Sequence, residues 1–374
     1  MKVLHVIDSA GLYGAEVVTL NLMEAQEKLG IHPTLLSIGD NGVGPKEIEI
    51  EAKKRGLDTQ ISRFRNGLNL KGSAEILSYA RRLRSDIIHS HGYKANILLG
   101  IIPRRLRRTP VITTLHGWTS KTLISKIWIY ELLDAFALKN LDRVIAVSSR
   151  IEKHPRLKLF GIRPVLIRNG LPVLEFANDA FSKESPEIAA KMNGKFKIVS
   201  IGRLSPEKGY DILIKALSKL IFRGIDASLV FFGDGSERSS LTQLAEKENI
   251  SSRVYCPGYQ DRAYRFVPCF DVFVLPSYTE GLPITLLEAM QGGTPIVATR
   301  VGDVPTVLDG ERLGRLVQPG NPEDLANALE EVYRNYDEAK EKALVAKQRA
   351  LTEYSLEKMA SKYSLEYQTL VSRA

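Results

Sequence analysis

Short apolar runs rich in Val and Ile alternate along this chain with longer segments whose apolar residues recur at helical spacing. The runs lack polar alternation, so both faces of each predicted strand are expected to be covered by other elements. This order is typical of an α/β fold with parallel, doubly wound sheets. The predicted strands span residues 3–7, 34–38, 87–89, 111–115, 144–147 and 165–168 in the front half, and 197–201, 228–232, 253–255, 272–275 and 295–298 in the back half.

The polar stretch 177–195 interrupts this alternation, which then starts again. We therefore predict two Rossmann-like domains, at residues 1–172 and 173–353, and a length of 374 residues suits two ordinary domains. Ligands of such sheets bind beyond the carboxyl ends of the strands, so the cleft between the domains is the expected site. Helices are predicted at residues 15–29, 73–83, 210–221, 237–248 and 284–291, and two long helical patterns at 322–351 and 356–371 follow.

Composition narrows the class of protein. With 44% hydrophobic and 25% charged residues, the chain has enough core material to exclude wholesale disorder. Its apolar runs are shorter than the roughly 20 residues of a membrane-spanning helix, and the apolar start is too short for a secretory signal. The two cysteines, Cys256 and Cys269, form no CxxC motif, so neither a zinc site nor a disulfide framework is indicated. A reduced, cytoplasmic protein is the expectation.

Positive charge is concentrated in the front half, where residues 1–172 hold 27 Lys and Arg against 15 Asp and Glu. Arg104, Arg105, Arg107 and Arg108 form the densest run. Such runs are most often solvated helix faces. A surface for anionic lipid headgroups is the sharper interpretation. Nucleic acid is disfavoured, because no interleaved aromatic residues or known binding motif accompany the arginines.

Glycine-containing loops follow the first strand of each half. In residues 8–16, DSAGLYGAE, Gly14 would let a backbone amide approach a phosphate, although a merely tight turn explains the motif equally well. In residues 201–209, IGRLSPEKG, Arg203 and Lys208 precede a helix, so two cations and the positive helix end can converge on a diphosphate. An exposed cationic loop is the alternative there, and the glycines and proline disfavour it because they suggest a shaped loop.

Histidines follow two of the predicted strands. His116 comes directly after the strand at 111–115, a position at which a catalytic and a structural role are equally well supported. His89 and His91 stand at an earlier strand end. Their spacing of two does not by itself define a metal pair, and we expect them to support the site rather than to contact the ligand.

The stretch EGLPITLLEAMQGG combines two carboxylates with apolar residues. Glu280, Gly281 and Leu282 fall in the loop after the strand at 272–275, Pro283 suits a first helical turn, and Glu288 lies inside the helix. With 100° per residue, Glu288 belongs to a thin polar strip on an otherwise apolar helix. The strip is expected to face either water or a ligand. Its members are Thr285, Glu288 and Gln291.

Taken together, these motifs resemble those of the retaining glycosyltransferases of the GT-B fold, family 4. The resemblance covers nearly the whole chain. It is very specific in the back half, in SIGRLSPEKGYDILIKAL, EGLPITLLEAMQGGTPIVATRVGDVP and GRLVQPGNPEDLANAL, and looser in YGAEVVTLNL, IIHSHGYKANILLG, TTLHG and LIRNGLP. Glu280 and Glu288 match the family's E-x7-E motif. The last helix, from about residue 354 to 374, is then expected to return to the first domain.

The resemblance implies a role for each candidate residue. A carboxylate is an acceptor-only group suited to sugar hydroxyls, so Glu280 would hold the donor sugar and Glu288 the ribose. His116 would lie near the anomeric carbon. The implied donor-binding residues are Gly14, Arg203, Lys208, Glu280, Gly281, Leu282, Pro283 and Glu288, and the implied catalytic residues are His116, Arg203, Lys208 and Glu280. The expected acceptor and membrane surface consists of Tyr13, Arg104, Arg105, Arg107 and Arg108.

The resemblance also implies a mechanism. When the bond to phosphate breaks, negative charge grows on the leaving diphosphate, which fixed cations and a helix N-terminus stabilise. The sequence has no DxD motif of the kind that holds a metal in GT-A enzymes, so we predict a reaction without metal or other cofactor in which Arg203 and Lys208 replace the ion. Retention would proceed by attack on the face that the phosphate leaves, without a protein nucleophile.

Two positions depart from the family's pattern. The first loop usually reads Gly-Gly-Ala-Glu, and Tyr13 replaces the first of these glycines. A bulky ring there would reshape the acceptor side or restrict φ. After Asn169 and Gly170, Leu171 and Pro172 stand where an acidic residue is common, which leaves the hinge details open.

The predicted function is hexosyl transfer from a UDP- or GDP-sugar to a hydroxyl of an envelope glycan or lipid-linked acceptor, by a cytoplasmic protein with peripheral contact to an anionic membrane and no nucleic-acid partner. Three alternatives are weighed. A dinucleotide-dependent oxidoreductase would use the first loop and Asp40 but leaves the residues of the back half unexplained. A sugar-nucleotide epimerase or hydrolase would process the donor without an acceptor. A nucleotide-binding protein without catalysis is the third, because fold does not fix function.

Overall fold

The structure, a computed structural model, describes residues 1–65, 69–116, 126–177, 186–192 and 194–372. The chain divides into two compact units. The first comprises Met1–Pro172 together with Leu356–Ala374, and the second comprises Val173–Ser355. In the described part of the chain, no helix is both long enough and apolar enough to cross a membrane.

The first unit is built on one parallel sheet. Its strands are β1 (Lys2–Ile7), β2 (His32–Asp40), β3 (Thr59–Phe64), β4 (Ile87–His91), β5 (Val111–Leu115), β6 (Arg143–Ala146) and β7 (Val165–Leu166). The connecting helices are α1 (Gly14–Lys28), α2 (Glu47–Lys54), α3 (Leu70–Leu83), α4 (Tyr93–Gly100), α5 (Arg104–Arg107), α6 (Lys126–Leu138), α7 (Ser149–Glu152) and α8 (Pro155–Leu159). The strand order β3-β2-β1-β4-β5-β6-β7 is that of a doubly wound sheet.

The second unit repeats the plan with six parallel strands in the order β10-β9-β8-β11-β12-β13. These are β8 (Phe196–Ile201), β9 (Ala227–Phe232), β10 (Val254–Gly258), β11 (Val272–Leu275), β12 (Ile296–Thr299) and β13 (Arg315–Val317). The α-helices are α9 (Pro186–Lys191), α10 (Tyr210–Phe222), α11 (Arg238–Lys247), α12 (Ile284–Gly292), α13 (Val304–Val307), α14 (Pro322–Arg334) and α15 (Tyr336–Glu353). The predicted fold class, two Rossmann-like parallel sheets, is confirmed.

The last helix, α16 (Leu356–Val371), belongs to the first unit and covers one face of its sheet. Tyr363 and Tyr367 are fully buried there against inward residues of the central strands, including Val3 and Ile87. Side chains alternate along a strand, so the face that bears Val3 and Ile87 also bears His5, His89 and His91. The C-terminal helix therefore closes a layer that contains buried histidines.

Three elements differ from the predicted pattern. β3 was not predicted, because it is an edge strand whose residues alternate between polar and apolar and are only partly buried. β13, with three residues, is too short for a recognisable run. The single helical pattern predicted at 322–351 is wrong: Asn335 adopts the non-helical angles φ −117° and ψ 48°, and the segment forms the two helices α14 and α15.

Candidate active site

Two glycines let the loops of the second unit pack against one another beyond the carboxyl ends of its strands. Gly209, with φ +65°, ends the 3-10 turn Pro206–Lys208, and a Cβ there would collide with the carbonyl oxygen of Pro276 after β11. Gly302, with φ +53°, follows β12, and a Cβ there would collide with the carbonyl oxygen of Glu280. Both positions require glycine because the left-handed region and the close approach each exclude a side chain.

The structure brings Lys208 and Glu280 into direct contact. Lys208 Nζ donates to Glu280 Oε1 at 2.7 Å, and the Ser277 hydroxyl donates to the same oxygen at 2.7 Å. The side chains keep 22% and 10% of their accessible surface, so the pair is partly shielded from water. Sequence analysis placed both residues on the donor side without predicting that they pair. The contact aligns a cation and a carboxylate at the ends of β8 and β11.

Arg203 is separate from this pair. Its side chain is 74% exposed, and its guanidinium lies 3.3 Å from Glu207 one turn further on. Such exposed pairs contribute little to stability, so the side chain is free to exchange this partner for a ligand. The predicted convergence of Arg203 with Lys208 is not formed by a contact between their side chains.

Glu288 is the carboxylate residue of α12, and its pKa is strongly shifted. Burial raises its pKa to about 7, since the surrounding protein disfavours the ionised form. Among the residues that the structure describes, the Glu288 carboxyl has neither a hydrogen-bond partner nor an ion-pair partner. Gln291, on the same polar strip, is buried and accepts a hydrogen bond from the Leu174 amide at 3.0 Å. The protein thus binds one end of the strip itself and leaves the partly buried Glu288 carboxyl without a partner among the described residues.

The loop before α12 presents backbone donors. The amides of Gly281 and Leu282 donate to none of the residues described by the structure, whereas the Gly281 carbonyl accepts from the Asp303 amide at 2.9 Å. Pro283 is the residue that caps the N-terminus of α12, one position before the helix begins. The arrangement can supply N–H groups to an oxygen-rich ligand beside Glu280.

In the first unit, Tyr13 caps α1 and Gly14 is its first residue. Tyr13 has the extended angles φ −104° and ψ −170°, which any residue adopts, so replacing the family's glycine causes no strain in the backbone. Its ring lies against Gly11, where a Cβ would collide with it, and its side chain is 68% exposed. Among the residues that the structure describes, none lies within 4 Å of a Cβ placed on Gly14. The bulky ring of Tyr13 is therefore accommodated by the absence of a side chain at Gly11.

His116 lies directly beyond β5, with its ring partly exposed. Its Nε2 is 3.2 Å from His91 Nδ1, and His91 Nε2 is in turn 3.0 Å from His5 Nδ1. Burial lowers the pKa of His116 to about 4, so the ring is neutral at pH 7. His91 thus lies next to His116, and His5 and His89 lie next to His91. Ligand atoms of His5, His89 and His91 lie within 4.8 Å of one another, which is close enough for a metal ion.

The arginine run is only partly a surface. Arg104, Arg105 and Arg108 are exposed, but Arg107 is buried, which corrects its predicted place on a membrane face. Its guanidinium donates to the Leu99 carbonyl at 3.2 Å, also donates to the Asn140 carbonyl, and lies 3.4 Å from Asp142. Burial lowers the pKa of Arg107, and Asp142 opposes that effect. Arg107 instead ties α4 to the turn before β6.

A second charged group, which sequence analysis did not predict as a site, follows the strands of the first unit. Lys94 Nζ donates to Asp40 at 2.7 Å and lies 2.8 Å from Asp8, which also pairs with Lys46. Burial opposes the charge of Lys94, but the two carboxylates outweigh it and raise the pKa. Charged residues after consecutive strands were the available signal, because such ends meet at one sheet edge.

Comparisons with known proteins agree with this architecture. The model of Glycosyltransferase Family 4 matches residues 13–173, and that of Glycosyl transferases group 1 matches residues 181–350. An uncharacterised glycosyltransferase of Methanocaldococcus jannaschii is 30% identical over 288 residues, 76% of this chain and 73% of that protein. The UDP-Gal:alpha-D-GlcNAc-diphosphoundecaprenol alpha-1,3-galactosyltransferase of Escherichia coli is 28% identical over 273 residues, 70% of each chain.

The fold has a solved counterpart. The crystal structure of Anabaena Alr3699/HepE in complex with UDP superposes with a TM-score of 0.83 over 99% of this chain and 100% of that chain, at 20% identity. A likeness at this identity concerns the fold alone. Together with the two parallel sheets, this likeness defines the GT-B fold. With family models matching in both units and a relative 30% identical across most of both chains, the chain belongs to glycosyltransferase family 4.

Proposed function

We propose that the protein is a retaining hexosyltransferase that moves a sugar from a nucleotide donor to a hydroxyl of a glycan or lipid-linked acceptor. The observation that carries the proposal is the unpartnered, partly buried carboxyl of Glu288, whose pKa burial raises to about 7. Removing such a carboxyl group from water destabilises the folded protein unless hydrogen bonds from a ligand offset the cost. Ribose hydroxyls are donors of the required kind.

The remaining donor contacts follow from the geometry of the second unit. Glu280, already held by Ser277, can accept from a sugar hydroxyl with its second oxygen, and the free amides of Gly281 and Leu282 can donate to the sugar or phosphate. Lys208 stays beside Glu280 and faces the diphosphate. The E. coli relative is named for a UDP-sugar donor and the Anabaena structure contains UDP, which supports uracil as the base of the donor nucleotide.

Leaving-group stabilisation is assigned to Lys208 and Arg203. Cations positioned where negative charge develops lower the barrier. Glu280 already holds Lys208 in place, whereas Arg203 would exchange Glu207 for the diphosphate. We propose that they act without a metal ion, because the sequence offers two cations at this position and no DxD motif. The acceptor hydroxyl attacks on the face that the diphosphate leaves, so the anomeric configuration is retained.

The acceptor side is proposed to lie in the first unit, at Tyr13, Gly14 and His116. The name of the E. coli relative specifies a diphosphoundecaprenol-linked acceptor, which supports a lipid-linked substrate here. The exposed arginines Arg104, Arg105 and Arg108 are proposed to contact anionic headgroups, with Arg107 excluded because it is buried.

The decisive experiment is a screen of UDP- and GDP-sugars by thermal shift, followed by mass spectrometry of donor breakdown with and without acceptor extracts. We expect one UDP-sugar to raise the melting temperature by mass action and to be consumed only when acceptor is present. Donor consumption without acceptor would identify an epimerase or hydrolase instead. NMR of the product's anomeric proton tests retention, and activity lost in EDTA and regained with a divalent cation would refute the metal-free mechanism.

A further inference from the structure

A continuous chain of eight hydrogen-bonding groups runs through the first unit from His116 to Tyr363. In order, the groups are His116, His91, His5, Gln26, Tyr367, His89, Thr114 and Tyr363. The seven distances between their polar atoms are 3.2, 3.0, 2.9, 2.9, 2.7, 2.8 and 2.9 Å. All of the groups except His116 are buried.

The chain contains one hydrogen more than it can use. Burial lowers the pKa of His5 to about 4, and burial with the neighbouring histidines lowers those of His89 and His91, so all of the rings are neutral at pH 7. Seven of the groups then carry one hydrogen each, and the Gln26 amide nitrogen carries two, of which one can serve the chain. Eight hydrogens are thus available for seven bonds. The surplus hydrogen falls at one end, either on the Tyr363 hydroxyl or on the His116 ring.

The orientation of the Gln26 side-chain amide determines which end of the chain carries the surplus hydrogen. With Oε1 towards His5 and Nε2 towards Tyr367, every histidine is protonated on Nε2 and the surplus hydrogen falls on Tyr363. Rotating the amide by 180° keeps all of the distances, reverses every bond and moves the surplus to His116 Nδ1. Tyr363 has no other hydrogen-bond partner among the described residues. A surplus hydrogen on its buried hydroxyl would therefore give up its hydrogen bond to water on folding and gain none from the protein, which is unfavourable. The rotated orientation avoids that loss.

Thr19 independently favours the same direction. Its hydroxyl donates to the Ala15 carbonyl at 2.8 Å, and its oxygen lies 3.4 Å from His91 Nδ1. With its hydrogen used, Thr19 offers only lone pairs to the ring. A protonated Nδ1 on His91 fits that neighbour, and an unprotonated one does not.

We propose that Gln26 holds His116 as its Nδ1–H tautomer through His5 and His91, so that His116 offers an N–H donor to an oxygen of the bound substrate. The use of this donor in transfer rests on the proposed function, whereas the tautomer itself does not. Gln26 is a positioning residue that lies two rings behind His116. The C-terminal helix takes part, since its Tyr363 and Tyr367 form the other arm of the chain.

A metal ion held by His5, His89 and His91 is the competing use of this cluster. Both nitrogens of each of these three rings already take part in the chain. Binding of an ion would therefore break several of the seven bonds. Zn²⁺ at one equivalent is expected to leave the three histidine signals unchanged.

The test is long-range ¹H–¹⁵N NMR of the full chain labelled on histidine, without substrate. His5, His89, His91 and His116 are expected to be protonated on Nδ1, and His32 and His154, outside the chain, provide the reference signals. Protonation of the four on Nε2, or displacement of their signals by Zn²⁺, would overturn the proposal. This result does not depend on transferase activity, so it fails or stands separately from the proposed function.

Gln26→Glu tests the positioning role. A carboxylate accepts from both neighbours, so the arm of His5, His91 and His116 is expected to switch to Nε2–H while His89 keeps Nδ1–H. The kcat for transfer is expected to fall roughly 100-fold, as for loss of one donor to a developing charge. Gln368→Glu, the same change at an exposed position of α16, is the control. It is expected to leave the Nδ1–H tautomers of the four histidines and kcat unchanged. A switched tautomer with unchanged kcat would refute the role of Nδ1–H in transfer.

Discussion

At the scale of single residues, the two glutamates of the E-x7-E motif have different surroundings. Glu280 is held by Lys208 and Ser277, whereas Glu288 is partly buried without a described partner, and burial raises its pKa to about 7. A folded protein that keeps a carboxyl group where its surroundings disfavour the ionised form loses stability above the group's ordinary pKa, which is common where binding requires such a group. Three predictions follow from these side chains.

Glu288→Gln is expected to stabilise the ligand-free protein above neutral pH. The unfolded chain releases this proton near pH 4.5 and the folded protein near pH 7, so stability falls as pH rises between these values. The variant lacks this loss. Its gain should be absent at pH 4.5 and at most about 3 kcal/mol at pH 8, measured by urea unfolding. A gain that does not change with pH would contradict the raised pKa.

Donor affinity is expected to depend on the same ionisation. Hydroxyl donors favour the ionised carboxyl, so binding lowers its pKa and affinity increases with pH. Calorimetric titration with UDP-glucose should give about tenfold tighter binding at pH 8 than at pH 6. The Glu288→Gln variant should bind more weakly and with little pH dependence, and an unchanged slope in it would assign the effect to another group.

Lys208→Ala is expected to reduce kcat by about 100-fold, because it removes a fixed cation from the leaving diphosphate. It also leaves Glu280 without its ion-pair partner. Lys215→Ala is the matched control, since Lys215 makes only an exposed pair with Asp211 on α10. Equal rates for the two variants in a transfer assay would remove Lys208 from the donor site.

At the scale of elements, the short helix α5 combines a structural arginine with exposed ones. Arg107 joins the end of α4 to the turn before β6, and its partner Asp142 also accepts from the Val111 amide at 2.8 Å. Neighbouring Arg105 and Arg108 are exposed. Residues of one type in one run thus serve different purposes, and helical geometry decides which of them is buried.

Arg107→Ala is expected to lower the free energy of unfolding by about 3 kcal/mol, since it breaks a buried charged network. Arg105→Ala should change the free energy of unfolding by less than about 0.5 kcal/mol.

Binding to vesicles that contain anionic lipids is expected to depend on the exposed arginines instead. At low salt, the Arg105→Ala and Arg108→Ala variants should bind the vesicles more weakly, whereas Arg107→Ala that has folded should bind them as tightly as the unmodified protein. If a variant in which Arg104, Arg105 and Arg108 are all replaced by Ala binds the vesicles as tightly as the unmodified protein, the proposed membrane contact is wrong.

At the scale of the whole molecule, most of the residues proposed to bind the donor lie in the second unit, Val173–Ser355. A donor present at 100 times its dissociation constant adds about 2.7 kcal/mol to the stability of the state that binds it. Hydrogen exchange should therefore slow most in the loops after β8 and β11 and at the start of α12. Protection confined to the first unit would place the donor elsewhere.

The sequence by itself determined the fold class and placed most of the candidate donor-side residues at the ends of strands. Buried parallel strands are continuous apolar runs, and the residues after them occupy one sheet edge, so β1, β8 and β11 and the loops that follow were readable. Edge strand β3 was not, because its exposed positions weaken the pattern. A uniform polar and apolar period across residues 322–351 concealed the break at Asn335.

Only the tertiary structure decided which side chains meet. It buried Arg107 within an arginine run, paired Lys208 with Glu280 across 72 positions, and left Glu288 without a described partner. It also aligned His5 of β1, His91 of β4 and His116, the residue after β5, with Gln26 from α1 and Tyr367 from α16. Such contacts join residues far apart in sequence, and hydrogen-bond direction and burial exist only once the elements pack. Local patterns carry neither quantity.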